Sequence, residues 1–280
     1  MMTRPDVGPL GDASDRDYSR KLRQFNAFAQ RELRQAIGRL PLKAGMRVLD
    51  AGCGTGEALR WLLEQVSPGG AVVGIDLSAA HVTAARTAAP AGTRILQGNL
   101  SEAPLPASSF DLIWCVNTIH HLHDPHEGVR ALSRLLRPGG WIALGQSSLL
   151  PDMYFAWDAR LERLTNEAIR QYYRERYGLE EAALTGVRAL VGLLRQRPFE
   201  ATAVETSMIE RIAPLSPTDE AYLAGTIFQD TWGGRLRAYL AAEDYALVCR
   251  LCNPQDEAFA LRRPDFHFLQ SFTVAVARVP

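Results

Sequence analysis

Three alternate glycines at the end of a short apolar run constrain this chain more than any other feature. Residues 48–57 read VLDAGCGTGE, a strand pattern that leads through Gly52, Gly54 and Gly56 into a helix. Glycine tolerates left-handed backbone and lets a ligand lie against the main chain beside a helix N-terminus. A plain tight turn would explain a lone pair of such glycines equally well. The segment therefore indicates an α/β connection that is either structural or a ligand site.

Short apolar runs alternate with helical periodicity on both sides of this turn. Such alternation predicts a parallel sheet covered by helices on both faces, a doubly wound Rossmann-like α/β fold. With 280 residues, the chain is long enough for about two average domains or one elaborated domain. The predicted strands are 47–50, 71–76, 93–98, 110–116 and 141–145, and the predicted helices are 17–40 (one helix or a pair), 56–66, 79–89 and 125–137. Beyond residue 150 the pattern predicts helical segments near 152–176, 180–196 and 217–252.

Two acids make the glycine turn more informative. Asp50 closes the first strand, and Asp76, 20 residues after Gly56, closes the second, where a carboxylate can accept hydrogen bonds from ribose hydroxyls. A nicotinamide dinucleotide is disfavoured, because the third glycine of its fingerprint is missing and Asp50 would lie near a pyrophosphate. A ligand with a ribose, an ammonium group and no phosphate fits better. S-adenosylmethionine has this anatomy.

The chain resembles the class I S-adenosylmethionine-dependent methyltransferases in five successive motifs within about residues 40–146. The likeness implies a seven-stranded sheet whose last strand is antiparallel. It also implies methyl transfer that leaves S-adenosylhomocysteine, and it does not identify the acceptor. The motifs lie at 48–56, 74–78, 98–100, 110–113 and 136–140.

The resemblance also implies contacts to the cofactor. The loop from Asp50 to Gly56 would hold the methionine portion, Asp76 the ribose, and Leu77 would flank the adenine. Asn99 stands where the family usually has aspartate, and its carbonyl oxygen can accept the same hydrogen bond from the adenine amino group. The predicted cofactor-binding residues are Asp50, Gly52, Cys53, Gly54, Gly56, Asp76, Leu77, Asn99, Leu100 and Asn117.

A histidine tract follows the fourth predicted strand, where open α/β sheets bind ligands. One helical turn would bring Asn117, His120 and His121 to one face. His120 and His121 are candidate general bases, because histidine can take a proton from an acceptor near neutral pH. Positioning alone can also suffice for methyl transfer, in which case both residues pack or form the cofactor wall. No metal is expected, since this tract departs from the acidic ligands of metal-dependent relatives.

The second half of the chain adds segments that the cofactor unit does not require. In the family plan, residues 180–213 and 266–280 complete the sheet. Arg235 is a candidate for binding an acceptor carboxylate. The aromatic residues of the two insertions predict a helical lid over the acceptor, although mutual packing or a homodimer interface would favour the same residues. The predicted organisation is 1–40 tail and helices, 41–146 cofactor-binding core, and 147–280 with insertions at 147–179 and 214–265.

Composition narrows the function classes. Lys+Arg and Asp+Glu both number 31, which disfavours a nucleic-acid partner, and the sequence predicts no membrane span or secretory signal, so we expect a cytoplasmic protein. The four cysteines are expected to be reduced, and Cys249 and Cys252 are one helical turn apart rather than half of a zinc site. The leading hypothesis is a small-molecule methyltransferase. The alternatives are a protein or RNA methyltransferase, and a cofactor-binding enzyme that catalyses rearrangement or cyclisation.

Overall fold

The computed structural model describes residues 13–147, 155, 157–178, 186–196 and 198–280. Its centre is a seven-stranded sheet in the order β3-β2-β1-β4-β5-β7-β6. The first five strands are parallel, and β7 runs antiparallel to both β5 and β6. The predicted fold class is confirmed. The strands are β1 Arg47–Ala51, β2 Ala71–Asp76, β3 Arg94–Gln97, β4 Phe110–Val116, β5 Leu136–Ser147, β6 Glu200–Ile212 and β7 His267–Arg278.

Helices connect and cover these strands. No helix among the described residues is both long enough and apolar enough to cross a membrane. The predicted N-terminal tail lies mostly outside the described residues, which begin at 13. The helices are α1 Ser19–Phe28, α2 Gln30–Gly38, α3 Glu57–Val66, α4 Ala79–Ala88, α5 Pro125–Ser133, α6 Ala159–Tyr177, α7 Gly186–Leu194, α8 Pro217–Glu220 and α9 Ala242–Cys252.

The strand order reverses at the centre of the sheet. From β1 the chain moves outward to β2 and β3, and then returns to place β4 on the opposite side of β1. Val48 and Leu49 of β1 are fully buried, as expected for a central parallel strand. The crevice at the carboxyl ends of β1 and β4 is therefore the switch point at which such sheets bind ligands.

Two predicted boundaries are wrong. Helix α5 ends at Ser133 instead of continuing to 137, because the Leu135 carbonyl accepts hydrogen bonds from the backbone N–H groups of Ser109 and Phe110, at 2.8 and 3.0 Å. The chain has thus already joined the sheet, and Arg137 belongs to β5. The long C-terminal helix predicted for 217–252 is instead broken into α8, a π-helix Ala221–Trp232, a 3₁₀ turn Gly233–Ala238 and α9.

Aromatic residues of the two insertions and one residue of β7 pack into one buried group. We call Phe155, Trp157, Phe228, Trp232 and Phe268 the aromatic cluster. The ring centroids of Phe155 and Trp232 are 4.9 Å apart, and those of Trp157 and Phe228 are 5.8 Å apart. Phe155 and Trp232 are each 1% exposed. The aromatic excess of the sequence therefore serves, at these positions, to build a core.

Candidate functional site

A cavity opens at the carboxyl edge of β1, β2 and β4. It encloses about 1220 Å³, counted to include the space open to solvent. Of the predicted cofactor-binding residues, Gly56 alone is not part of its wall. The predicted residues in the wall are Asp50, Gly52, Cys53, Gly54, Asp76, Leu77, Asn99, Leu100 and Asn117.

The glycine turn needs glycine for two separate reasons. The backbone φ angles of Gly52, Gly54 and Gly56 are 81, 52 and 89°, in the left-handed region that side chains disfavour. A Cβ on Gly52 would also lie 2.2 Å from the Thr118 hydroxyl oxygen. The backbone N–H of Gly52 donates to the Ile75 carbonyl at 2.8 Å, which fixes the turn against β2. Thr118 and β2 thus pack against the two sides of the turn, and its main chain forms part of the cavity wall.

Asp76 is held by three donors. Its Oδ2 accepts a hydrogen bond from the Gly54 N–H at 2.9 Å, and its Oδ1 accepts from the Ser78 N–H at 3.0 Å and contacts His81 Nδ1 at 3.1 Å. The Tyr18 N–H donates to His81 Nε2 at 3.0 Å, so the ring proton lies on Nδ1 and is donated to Asp76. A carboxylate offers about four acceptor positions. One position remains, enough for one ribose hydroxyl.

Asp50 has a buried oxygen without a partner. Its Oδ2 atom is inaccessible to solvent and accepts no hydrogen bond from the described residues. Burial, with smaller contributions from the charges of Asp76 and Glu57, raises the pKa of the Asp50 carboxyl to about 8. An ammonium group in the cavity would supply both a donor and a compensating charge. This side chain fits the cationic methionine end of S-adenosylmethionine.

Two asparagines in the wall already use their side-chain oxygens. Asn117 Oδ1 accepts hydrogen bonds from the N–H and the hydroxyl of Ser147, at 2.8 and 3.0 Å, so its NH₂ group is left for a ligand. Asn99 Oδ1 accepts from the Ser101 N–H at 3.0 Å and retains one acceptor position. That position suits the predicted contact with an adenine amino group.

The two candidate catalytic histidines occupy different places. Both lie in a single 3₁₀ turn, Ile119–His121, with their ring centroids 4.0 Å apart. His121 lines the cavity, whereas His120 is not part of its wall. His120 Nδ1 is 2.8 Å from Gln146 Oε1, an acceptor, so Nδ1 carries the proton. His121 is therefore placed to meet an acceptor, and His120 is placed to support it.

The sequence did not reveal the roof of the cavity. This roof consists of residues of the N-terminal segment, α1 and α2, and Trp61 of α3 and Trp114 of β4 line the cavity beside it. The amphipathic pattern of 17–40 predicted only that these helices cover the core. The additional wall residues from these elements are Ala13, Arg16, Tyr18, Leu22, Phe25, Asn26, Leu33, Trp61 and Trp114.

Hydrogen bonds hold this roof to the cofactor side of the cavity. The Ser78 hydroxyl donates to the Arg16 carbonyl at 2.6 Å, and the Ala79 N–H donates to the Ser14 carbonyl at 2.9 Å. Farther along, Asn26 Nδ2 donates to Glu57 Oε2 at 2.8 Å, which joins α1 to the helix that follows the glycine turn. The roof and the cofactor wall are thus bonded at two points along α1 and its lead-in.

The prediction that the aromatic insertions line the acceptor pocket is not confirmed. The cavity wall contains no described residue of 147–179 or 214–265. The insertions instead pack behind the roof. The ring of Tyr222 stacks on Phe28 of α1, with centroids 4.4 Å apart, and the Thr226 hydroxyl donates to Gln24 at 2.6 Å.

Other candidate chemistry is weak. Burial raises the pKa of the Cys53 thiol well above its usual value, consistent with a filler of the loop rather than a reactive group. Cys249 and Cys252 lie on the last turns of α9. Within the described ranges, no group of three or more histidine, cysteine, aspartate or glutamate side chains is arranged to hold a metal ion.

Known proteins share this combination of motif and fold. Residues 49–144 match the model of a methyltransferase domain family. The 27-O-demethylrifamycin SV methyltransferase of Amycolatopsis mediterranei is 38% identical over 120 residues, or 41% of this chain and 43% of that protein. The malonyl-[acyl-carrier protein] O-methyltransferase of Enterobacter lignolyticus is 33% identical over 167 residues, 59% and 63% of the two chains. A solved Bacillus halodurans protein has the same fold, with a TM-score of 0.55 at 18% identity over 89% of this chain and 99% of its own.

The order of the motifs, the sheet topology and the family match agree on one class of protein. Residues 49–144 match a methyltransferase domain family, and the sheet has the seven strands and the antiparallel last strand that the resemblance to class I S-adenosylmethionine-dependent methyltransferases implies. The chain spans less than two thirds of the length of the two curated relatives, 43% and 63%. The shared part is therefore the methyltransferase domain. The acceptors named for those relatives are not assigned to this chain.

Proposed function

We propose that this protein transfers the methyl group of S-adenosylmethionine to a small organic acceptor. The observation that carries the proposal is the single cavity in which the glycine turn, Asp50 and Asp76 meet an apolar roof. Polar and apolar residues line this one cavity, so a cofactor and an acceptor would meet in the same place.

The polar wall would bind the cofactor by complementary groups. Asp50 offers a buried carboxylate oxygen to the ammonium group, and Asp76 keeps one acceptor position for a ribose hydroxyl. Asn99 retains one acceptor position for the adenine amino group. The cofactor supplies an electrophilic methyl group on a sulfonium, which is a good leaving group.

The apolar wall would bind the acceptor. Leu22 and Phe25 of α1 line the same cavity as Trp114 and Leu122. These side chains can exclude water and orient an organic acceptor, and positioning of this kind lowers the barrier to a displacement reaction. The helical insertions would act as a lid indirectly, because they pack against α1 and fix the place of the roof.

His121 is the better candidate for the general base. It lines the cavity, and the ring of His120 lies against it with centroids 4.0 Å apart. His120, bonded to Gln146 through Nδ1, would position its neighbour. A base is needed only when the acceptor must lose a proton, as a hydroxyl does.

The proposal is tested by turnover with labelled cofactor. The full chain is incubated with methyl-labelled S-adenosylmethionine and a panel of small hydroxyl, amine and activated-carbon acceptors, and the products are analysed by mass spectrometry. We expect label in a small acceptor, and a His121→Asn rate about 10²- to 10⁴-fold lower, with a smaller loss for His120→Asn. Label in added protein or RNA only, or an altered acceptor that carries no label, would contradict the proposal.

A further inference from the structure

Cationic and phenolic side chains gather beside the cavity where several elements meet. We call Arg16, Lys21, Tyr173 and Arg235 the cationic cluster. Arg16 lines the cavity, Lys21 lies on α1, Tyr173 on α6 and Arg235 on the 3₁₀ turn after the π-helix. Four separate parts of the chain therefore contribute to the cluster, and Arg16 connects it to the cavity wall.

The fold fixes Arg235 without giving it an acid. The guanidinium carbon of Arg235 lies 5.3 Å from the ring centroid of Tyr172, a cation–π contact. The turn that carries it begins at Gly233, whose φ is 37°. In the described part of the chain Arg235 is half-buried and has no salt bridge or hydrogen-bond acceptor. Its five N–H donors remain for a ligand.

Lys21 is in a similar position on the facing helix. It too is half-buried and, within the described ranges, forms no salt bridge. The charge of Asp230 raises the pKa of Lys21, but that carboxylate is ion-paired with Arg20. Burial and the charge of Arg235 lower the pKa of the Lys21 ammonium. The two cations are therefore close enough to repel each other.

Tyr173 adds a neutral donor to the same place. Burial raises the pKa of its phenol to about 12, and the charges of Arg235 and, more weakly, Arg16 oppose this effect. The hydroxyl is therefore protonated and can donate a hydrogen bond. The Tyr173 ring lies 5.7 Å from the Tyr172 ring that Arg235 contacts, and Arg20, next to Lys21, is ion-paired with Asp230 of the π-helix that leads to Arg235.

We propose that the cationic cluster binds an anionic oxygen group, a carboxylate or a phosphate, of the methyl acceptor. An arginine fork and an ammonium group form charge-assisted hydrogen bonds to such oxygens, and an anion would remove the repulsion between Lys21 and Arg235. Because Arg16 belongs to the cavity wall, an acceptor anchored at the cluster extends toward the cofactor. This inference rests on the proposed function of the cavity.

The test uses the full chain saturated with S-adenosylhomocysteine and four small probes. Binding of benzoate, phenyl phosphate, benzyl alcohol and benzylamine is measured by ligand-observed NMR. We expect the anions to bind and the alcohol and amine to fail. Whether benzoate or phenyl phosphate binds more tightly distinguishes a carboxylate from a phosphate acceptor. Arg235→Gln and Lys21→Gln should each weaken anion binding about ten- to hundredfold, the range for losing a charge-assisted hydrogen bond.

Arg237→Gln is the matched control, because Arg237 is exposed on the same turn and its loss removes the same charge. It should leave anion binding unchanged. Tyr173→Phe keeps the ring and should weaken anion binding less than Arg235→Gln does. If Arg235→Gln does not fold, Tyr173→Phe and Lys21→Gln together test whether the cluster binds the anion. Equal anion binding by these variants and the parent, or no preference for anions, would overturn the inference. Failure of the parent to bind S-adenosylhomocysteine would instead contradict the proposed function.

Discussion

The wall of the cavity and the aromatic cluster both contain buried polar atoms without partners, but in different surroundings. Asp50 Oδ2 lies in a residue that lines an open cavity, whereas Trp157 Nε1 and Trp232 Nε1 lie among packed rings. A ligand in the cavity can donate a hydrogen bond to the Asp50 oxygen. The two indole N–H groups stay without an acceptor, and the packing of the core offsets the stability that this costs. Burial of a polar atom therefore indicates a binding site only where a cavity adjoins it.

The largest expected effect concerns the aromatic cluster. Trp232→Ala should lower the free energy of unfolding by about 3–5 kcal/mol, because it opens a cavity in the core. Trp232→Phe should cost less, since it keeps a ring and removes the N–H that has no partner. Denaturant unfolding measures both variants. Exposed Ile212, 63% accessible, supplies the control, and Ile212→Ala should be nearly neutral. A Trp232→Ala protein as stable as Ile212→Ala would show that this region is not a core.

The glycine turn offers the next comparison. Gly52→Ala should cost about 2–4 kcal/mol of stability, because it combines a left-handed backbone with a clash against Thr118. Gly45→Ala is matched, since Gly45 has a φ of 85° but a Cβ added there would meet nothing within 4 Å. Its cost should be about 1–2 kcal/mol. Thermal or denaturant unfolding gives the difference, and equal costs for the two would mean that the close packing of the turn is unimportant.

Removal of Asp76 should weaken ligand binding, in addition to the stability lost because Gly54, Ser78 and His81 lose their acceptor. Asp76→Ala should weaken S-adenosylhomocysteine binding by about 1.5–3 kcal/mol, the range for hydrogen bonds to a charged group. Asp265→Asn removes a carboxylate of an exposed ion pair with Arg263 and serves as the control. Calorimetry on both variants, after their folding is verified by circular dichroism, decides the matter. Unchanged affinity in a folded Asp76→Ala protein would remove Asp76 from the site.

The smallest expected effect is a pH dependence of binding. The raised pKa of Asp50, about 8, means that the carboxyl is mostly protonated at pH 7 and must release its proton to meet an ammonium group. Cofactor affinity should therefore rise with pH between 6 and 8, by at most about tenfold per unit. The folded protein without ligand should lose stability as pH rises from about 4 to 8, because the unfolded carboxyl ionises first.

Asp50→Asn tests this linkage directly, since it keeps the shape and removes the titration. Calorimetry of S-adenosylhomocysteine binding in two buffers with different ionisation enthalpies counts the protons released. The parent should release most of one proton per bound ligand near pH 7, because Asp50 is mostly protonated there, and Asp50→Asn should release less. The same proton release from both proteins would assign the linkage to another group.

The two regions also differ in how far the sequence predicted them. The position of Asp50 and Asp76 in the cavity wall follows from local patterns, because each lies at the end of a strand set by alternating strands and helices. Their predicted role in binding the cofactor stays a prediction. The roof could not be predicted in the same way, because it depends on which element the buried face of α1 contacts. The spacing of Leu22 and Phe25 predicts that they are buried and does not distinguish a cavity wall from a core.

The aromatic insertions were harder to interpret for a related reason. Composition showed an excess of aromatic rings, but rings that build a core and rings that line a pocket have the same local spacing. The break of the 217–252 helix at the π-helix Ala221–Trp232 depends on packing against α1, through Thr226 and Gln24, which the local sequence does not specify. Long-range contacts of this kind decide the structure there.

The central claim is that the cavity at the carboxyl edge of the sheet binds S-adenosylmethionine and its product. Isothermal titration of S-adenosylhomocysteine into the full chain, repeated with NADH, tests it most directly. We predict saturable binding of one S-adenosylhomocysteine per chain, no competition by NADH, and loss of affinity in Asp76→Ala. A folded protein that binds no S-adenosylhomocysteine, or that binds NADH in its place, would contradict the claim.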